Sequence, residues 1–393
     1  MSKLVPGIAQ FSYLGTVTGP AQGGTLGTPS LGNGLALRKT GAADHKLYFV
    51  TNLLPNAPQV VECDVPSSFT GTLTNCHTVG SLTCQFKMPW GLHWDCFDQK
   101  LYQTCHNNYD GTPTTSKTLS RGSFVNGQLV SEGNWLFQSY NAKLTDGGVT
   151  EIPAWFQSTY SVPRLAVGYG MYRSLVATGP ASMGIALAAF APPTTGSTTA
   201  IPVTQLVGYP YSTHGPVNFP LSYQERMHRP TDYVNDIGAD SGYPRIPGAT
   251  GYTTWADWGY QCGTWIDTPN FSGLVCIVMR NTGRVWYTNT VNAAGWRYDL
   301  VVYSADDLGA VALGANPSSI QPSVDVPFVV SGCTLPTNGQ HADSPPHDVT
   351  GVDFNPITRV FTFGVRFGVG TSASTYRTTY QMFRFLDTPN GCS

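Results

Sequence analysis

Apolar and polar residues alternate over short stretches of this chain, and glycine, proline and small polar residues separate the stretches. Alternation with a period of two predicts half-buried strands, and the punctuation between them predicts turns. A loose repeat organises these strands. A glycine opens a short apolar strand, a turn follows, and a second strand starts with a basic residue and an aliphatic or aromatic pair. The form occurs as GLALRKTGAADHKLYFV from Gly34, GLHWDCFDQKLYQTC from Gly91 and GVDFNPITRVFTFG from Gly351, and more loosely over Gly168–Phe190 and Cys262–Arg280. Third strands follow several of these hairpins: QVVECDVP from Gln59, WRYDLVVYSADDL from Trp296 and YQMFRFL from Tyr380.

Three strands and a more variable fourth are the make-up of a propeller blade, and radial repetition of such sheets protects their edges. The fold class predicted is all-β: one β-propeller domain over residues 1–393, with about five blades near 26–80, 88–140, 160–210, 255–330 and 349–392. The segment Ile8–Gly19 is left over by this count. It is expected to complete the last blade, so that strands from both chain ends close the ring. Residues 211–254 break the alternation and read as a long irregular excursion, with a displaced sixth blade as the alternative; a shorter excursion is expected over 140–162.

Composition supports strands over helices. The chain has 43 Gly, 29 Pro, 12% aromatic and 11% charged residues, against a usual charged share of roughly 25%. Glycine and proline are the poorest helix formers, whereas aromatic and β-branched residues suit a pleated surface. A net charge of -2 gives no basic footprint, so nucleic acid is not an expected partner. The longest apolar run, Met183–Pro193, is too short to span a bilayer and is closed by prolines, so membrane insertion is not expected either. The opening MSKLVPGIAQFSYLG lacks the pattern of a secretory signal. The expectation is that the chain leaves the cell by another route or has lost such a segment.

Nine cysteines occur without a CxxC pair, which disfavours zinc and haem attachment. Hairpin neighbours suggest Cys96 with Cys105 and Cys262 with Cys276; Cys76 with Cys84 and Cys333 with Cys392 are the further candidates, leaving Cys63 free. Buried thiols filling small gaps are the alternative.

At fold level, five-bladed propellers resemble several glycoside hydrolase families, whose chemistry requires two carboxyl groups flanking the sugar bond. Asp95, Asp267 and Asp353 fall just after inner strands and are the candidate catalytic residues of an enzyme reading. None of the four glutamates, Glu62, Glu132, Glu151 and Glu225, is expected in an inner-strand position suited to a raised-pKa acid. The bland alternative is that the aspartates cap turns. His93 and His106, with His77 near them in sequence, are weak candidates for a metal or an acid–base pair, and no third ligand stands at a telling spacing. No GxSxG, HExxH, P-loop or dinucleotide fingerprint is present, and no cofactor is expected. Aromatics in the expected loops, namely Trp155, Tyr209, Tyr211, Tyr252, Trp255 and Trp258, are candidates for stacking on sugars or anchoring a partner, against the alternative that they fill wedges between sheets.

Taken together, GLALRKTGAADHKLYFV, QVVECDVPSS, MPWGLHWDCFDQKLYQTCHNNYDG, QLVGYPYSTHGP and GVDFNPITRVFTFG resemble a widespread set of uncharacterised bacterial and environmental propeller-like proteins. The resemblance spans most of the chain and implies the architecture, and it implies export; it implies no activity. The expected function is a non-enzymatic structural or attachment protein of an extracellular assembly, such as a phage virion or a surface filament. Its expected partners are other subunits, itself included, and surface glycans. The alternatives are a secreted carbohydrate-active enzyme and a lectin-like binder.

Overall fold

The computed structural model of the chain describes residues 3–20, 33–51, 58–83, 85, 89–105, 115–138, 140, 145, 147–168, 186–208, 260–282, 295–317, 319–335, 349–369 and 377–387. The fold is all-β. A 3-10 turn, Ile8–Gln10, leads into β1 (Phe11–Thr18). The first unit then holds β2 (Asn33–Leu37), β3 (Lys46–Thr51), β4 (Gln59–Asp64), the two-residue β5 (Gly71–Thr72) and β6 (Thr74–Gly80). The second holds β7 (Pro89–Asp95), β8 (Lys100–Cys105), β9 (Leu119–Val125) and β10 (Gln128–Trp135). In the third, β11 (Gly148–Glu151) and the short helix α1 (Ala154–Tyr160) precede β12 (Leu165–Gly168), β13 (Leu187–Phe190) and β14 (Val203–Val207). The fourth comprises β15 (Tyr260–Asp267), β16 (Ser272–Thr282), β17 (Gly295–Ser304), helix α2 (Ala305–Ala312) and β18 (Val324–Pro327). The last comprises β19 (Val349–Asn355), β20 (Val360–Val369) and β21 (Arg377–Phe385).

Within each unit the strands pair with their neighbours in sequence. The orders are β2-β3-β4-β6, β7-β8-β9-β10, β11-β12-β13-β14, β15-β16-β17-β18 and β19-β20-β21-β1-β5, the exception being β5, which leaves the first unit to pair in parallel with β1. The first two units share one eight-stranded sheet through a single parallel pair, Leu129 with Gly80. β1 runs antiparallel to β21, from Phe11 opposite Phe385 to Thr18 opposite Thr379, so the segment left over by the repeat does complete the last sheet. Phe11 anchors that pairing in the core: its ring centroid lies 5.0–6.4 Å from those of Phe328, Phe361, Phe383 and Phe385.

The apolar faces pack between consecutive sheets. Leu92, Trp94 and Leu101 meet Tyr48, Val50 and Val60 between units one and two. Tyr102, Trp135 and Phe137 meet Val149, Val167 and Phe190 between two and three. Phe156 and Leu187 meet Trp265 and Cys276 between three and four, where α2 adds Leu308 and Val311. Ile277, Leu300 and Val302 meet Phe354, Phe361 and Phe363 between four and the last unit. Val17, Tyr380 and Met382 meet Leu35, Leu47 and Phe49, which packs the last sheet against the first. The opening strands neighbour one another: β7 and β19 flank β2, β11 lies against β7 and β15, and β15 against β19.

This closeness explains the glycines that open the repeat. A Cβ at Gly91 would sit 2.2 Å from the Cα of Gly148, and one at Gly351 would sit 2.6 Å from the backbone nitrogen of Leu35. No side chain fits where backbones approach so nearly.

Several expectations require correction. The third unit begins at Gly148 rather than near 160, and the supposed excursion over 140–162 contains β11 and α1. A four-residue strand followed by a seven-residue helix leaves too little periodicity to read. Cys63 is bonded to Cys76, not free, because β4 and β6 are adjacent antiparallel strands; Cys76 is therefore not paired with Cys84. Cys96 and Cys276 carry free thiols, so neither Cys96–Cys105 nor Cys262–Cys276 forms. The registers explain this: Cys105 stands opposite Pro89, at the far end of its hairpin from Cys96, and Cys276 stands opposite Gly263. Cys105 is nonetheless disulfide-bonded. Cys333 is also a free thiol, which donates to the Gln381 Oε1 at 3.8 Å, and Cys333–Cys392 does not form. Cys84, Cys392 and the excursion 211–254 lie outside the described residues.

Candidate functional site

Charged residues gather where the opening strands end. Each of these strands turns back into the second strand of its sheet, and turn backbones need acceptors. Asp95, the last residue of β7, meets that need by accepting from the amides of Phe97 at 3.0 Å and Asp98 at 3.4 Å. The carboxylate is fully buried, and its charge is matched by the Arg164 guanidinium, which donates to its two oxygens at 2.8 and 2.6 Å. Arg164 also pairs with Asp98 and lies 5.1 Å over the ring of Phe97, a side chain that is 82% exposed.

Asp353 on β19 faces the first sheet. It accepts from the amide of Leu37 at 2.8 Å and from the Lys39 ammonium at 2.9 Å, and the two side chains are 2% and 3% exposed. Burial alone would favour neutral Lys39, but the Asp353 and Glu151 carboxylates outweigh it and hold the ammonium above its usual range. Glu151 ends β11 and accepts from the Cys96 amide at 2.5 Å. Burial opposes its charge too, yet His93, Lys39 and that amide together hold the carboxyl well below the usual range. The Cys96 thiol responds in the other direction. Burial pushes it up to about 12, with Lys39 pulling against the shift and Glu151 reinforcing it. His93 is 2% exposed; its Nε2 lies 3.7 Å from Glu151 Oε1, within ion-pair range but beyond hydrogen-bonding distance, and has no hydrogen-bond partner among the described residues.

Asp267, which ends β15, stands apart from this cluster. Its Oδ1 accepts from the Lys3 ammonium at 2.7 Å and from the Trp155 indole Nε1 at 3.0 Å, and Lys3 lies 5.6 Å over the Trp155 ring.

Asp95 and Asp267 end their strands, whereas Asp353 precedes the end of β19, where Asn355 accepts from the turn amides of Ile357 and Thr358, and no hydrogen bond or ion pair joins any two of the three aspartates among the described residues. Each is engaged with a different cation of the chain. A glycosidase acid must hold its proton near neutral pH, whereas Glu151 is held ionised and Asp95, Asp267 and Asp353 are bound to Arg164, Lys3 and Lys39. The Cys96 thiol is protonated at neutral pH and is no ready nucleophile. Among the described residues no three His, Cys, Asp or Glu side chains are placed to hold a metal ion, and the Lys39 ammonium beside Glu151 opposes a cation there. His106, Tyr209, Tyr211, Tyr252, Trp255 and Trp258 lie outside the described residues. A separate open hollow of about 410 Å³ is lined by Arg38, Asp44, His45, Lys46 and Asp64, and its charges also pair, Arg38 with Asp44 at 2.7 Å and Lys46 with Asp64 at 2.5 Å.

Lys39 and Glu151 were not expected at this place, whereas His93 was expected as a metal or acid–base candidate and Cys96 as half of a disulfide. Glu151 does end an opening strand, which the misplaced start of the third unit concealed, but its lowered carboxyl is not the raised-pKa acid that the sequence reading asked for. A usable signal existed: a charged residue follows the opening glycine by a few positions in every unit, Lys39 after Gly34, Asp95 after Gly91, Glu151 after Gly148, Asp267 after Gly263 and Asp353 after Gly351.

No protein-family model matches the chain, and no curated protein matches it. Among solved structures, hydrazine synthase of Kuenenia stuttgartiensis superposes over 85% of this chain with a TM-score of 0.28 and 9% identity; this chain spans 63% of that one. Polysaccharide lyase Uly1 superposes over 98% of both chains with a TM-score of 0.29 and 8% identity. Likenesses at this level carry no argument about activity.

Proposed function

We propose that the chain is a five-bladed β-propeller, closed by the pairing of β1 with β21, that serves as a non-enzymatic structural or attachment protein of an extracellular assembly such as a virion or a surface filament. The propeller reading is supported by the packing of each sheet against the next, the last against the first, and by the mutual contact of the opening strands. One observation carries the non-enzymatic reading: the carboxylates at the strand ends are already neutralised by Lys3, Lys39 and Arg164, so the charge a catalyst would apply to a substrate is spent on the fold. The disulfide between Cys63 and Cys76 favours an oxidising location. Low charge, with large exposed apolar side chains such as Phe97, Leu313 and Val329, suits a chain that meets other subunits.

The test is the composition of purified particles from the source. Recovery of the chain as a stoichiometric component of virions or filaments is the expected result. A monomer that releases sugars from polysaccharide, and loses that activity on Asp267→Asn, overturns the proposal. Saturable glycan binding without turnover would replace it with the lectin-like reading.

A further inference from the structure

The first described residues do more than precede β1. Leu4 makes an isolated parallel bridge to Phe271 in the β15–β16 turn: its amide donates to the Asn270 carbonyl at 2.8 Å, and its carbonyl accepts from the Ser272 amide at 2.9 Å. Pro6 lies against Gly273, where a Cβ would come within 3.2 Å of its ring. The segment therefore forms a strap across the fourth sheet before the chain enters the last one. The strap delivers the Lys3 ammonium to a place built from two other elements, the Asp267 carboxylate at the end of β15 and the Trp155 indole on α1.

Asp267 and Trp155 hold each other without help from Lys3. The indole N–H donates to the carboxylate at 3.0 Å, which orients both groups. Trp155 is further fixed by the edge of Phe156, 5.7 Å away, and Phe156 is fully buried against Trp265. An anionic oxygen at the N–H edge of an indole, with the ring face beside it, is the chemistry that recognises an alkylammonium group, through a charge-assisted hydrogen bond and a cation–π contact. The Lys3 and Asp267 side chains are 23% and 29% exposed, so the place opens to solvent.

We propose that Asp267 and Trp155 form a receptor for a primary ammonium, that Lys3 is its tethered internal occupant, and that a lysyl side chain presented by another protein takes the same place when the strap lifts. This inference stands on the local geometry and is independent of whether the chain belongs to an assembly. A tethered ligand competes at an effective concentration in the millimolar range, so a free ligand sees a masked site.

The experiment titrates the full-length chain with Nα-acetyl-lysine methylamide and follows the Trp155 indole N–H resonance, assigned with a Trp155→Phe variant. The Lys3→Ala chain is expected to give a saturable shift, with affinity at least about tenfold tighter than the unaltered chain. Asp267→Asn in the Lys3→Ala background abolishes the shift, and the Nε-acetylated probe, which lacks the charge, gives none. Lys3→Gln, which keeps most of the alkyl stem over the indole, replaces Lys3→Ala if the latter fails to fold. Equal affinity with and without Lys3, no saturable shift in a folded Lys3 variant, or an equal response to the neutral probe would each overturn the proposal.

Discussion

At the scale of single residues the molecule is organised by buried charge. Lys39 and Asp353 are both almost wholly enclosed, and removing one member of such a pair strands the other. Lys39→Met is therefore expected to cost about 3–5 kcal/mol, measured as a shift of the denaturant midpoint at constant slope; a change below about 1 kcal/mol would show that water reaches the pair. Acid and alkaline limits follow from the same residues. Glu151 is held below its ordinary value in the folded chain, so the stability it contributes is present above the unfolded carboxyl pKa of about 4.3 and is lost as the pH falls below it. Lys39 is held above its ordinary value. Its contribution is present below the unfolded pKa of about 10.4 and is lost as the pH rises through the higher folded value. A pH series of unfolding midpoints should show a plateau between these limits, with a shallower acid limb in Glu151→Gln and a shallower alkaline limb in Lys39→Met.

Elements are decided by short-range patterns and then fixed by partners far away in sequence. The Asn126–Gly127 turn between β9 and β10 has both residues at positive φ, 49° and 77°, as a two-residue hairpin requires, and the dipeptide is readable from the sequence alone. The two helices illustrate the opposite case. α2 has its Ser304 cap, which accepts from the Asp307 amide, and two acidic residues in its first turn, yet SADDL reads as the end of a strand when the flanking apolar run dominates. β1 depends on Phe11. Phe11→Ala is expected to destabilise the chain by about 3–5 kcal/mol, because four aromatic rings lose their common neighbour, and the loss should appear in thermal and chemical unfolding alike. Replacing Cys63 and Cys76 by serine is expected to cost about 2–4 kcal/mol, measured under conditions that leave Cys105 oxidised.

Across the whole molecule, the opening strands set the tolerance. Gly91→Ala puts a methyl group 2.2 Å from the Cα of Gly148, so the two sheets must separate. The expected result is a loss larger than the sub-kilocalorie effect of the same change on an open strand, read from the midpoint of chemical unfolding. The same substitution at Gly127, whose position has no atom within 4 Å of a Cβ but a φ of 77°, isolates the backbone cost from the packing cost. Because β1 lies in the last sheet while β2 opens the first, the chain's early and late residues are expected to unfold in one transition, testable by comparing Trp fluorescence with far-ultraviolet dichroism.

Strand content, hairpin positions and the spare segment that completes the last sheet were legible in the amino-acid sequence, because period-two alternation and turn residues act over a few positions. The strand-end aspartates were legible for the same reason. Their partners were not: Lys39 lies 314 residues from Asp353, and Lys3 264 residues from Asp267, and no local pattern encodes an encounter over such a distance. Cysteine pairing depends in the same way on which strands become neighbours and in what register. The chain determined what its strands are, and the packing of sheet on sheet decided which charges are spent within the protein.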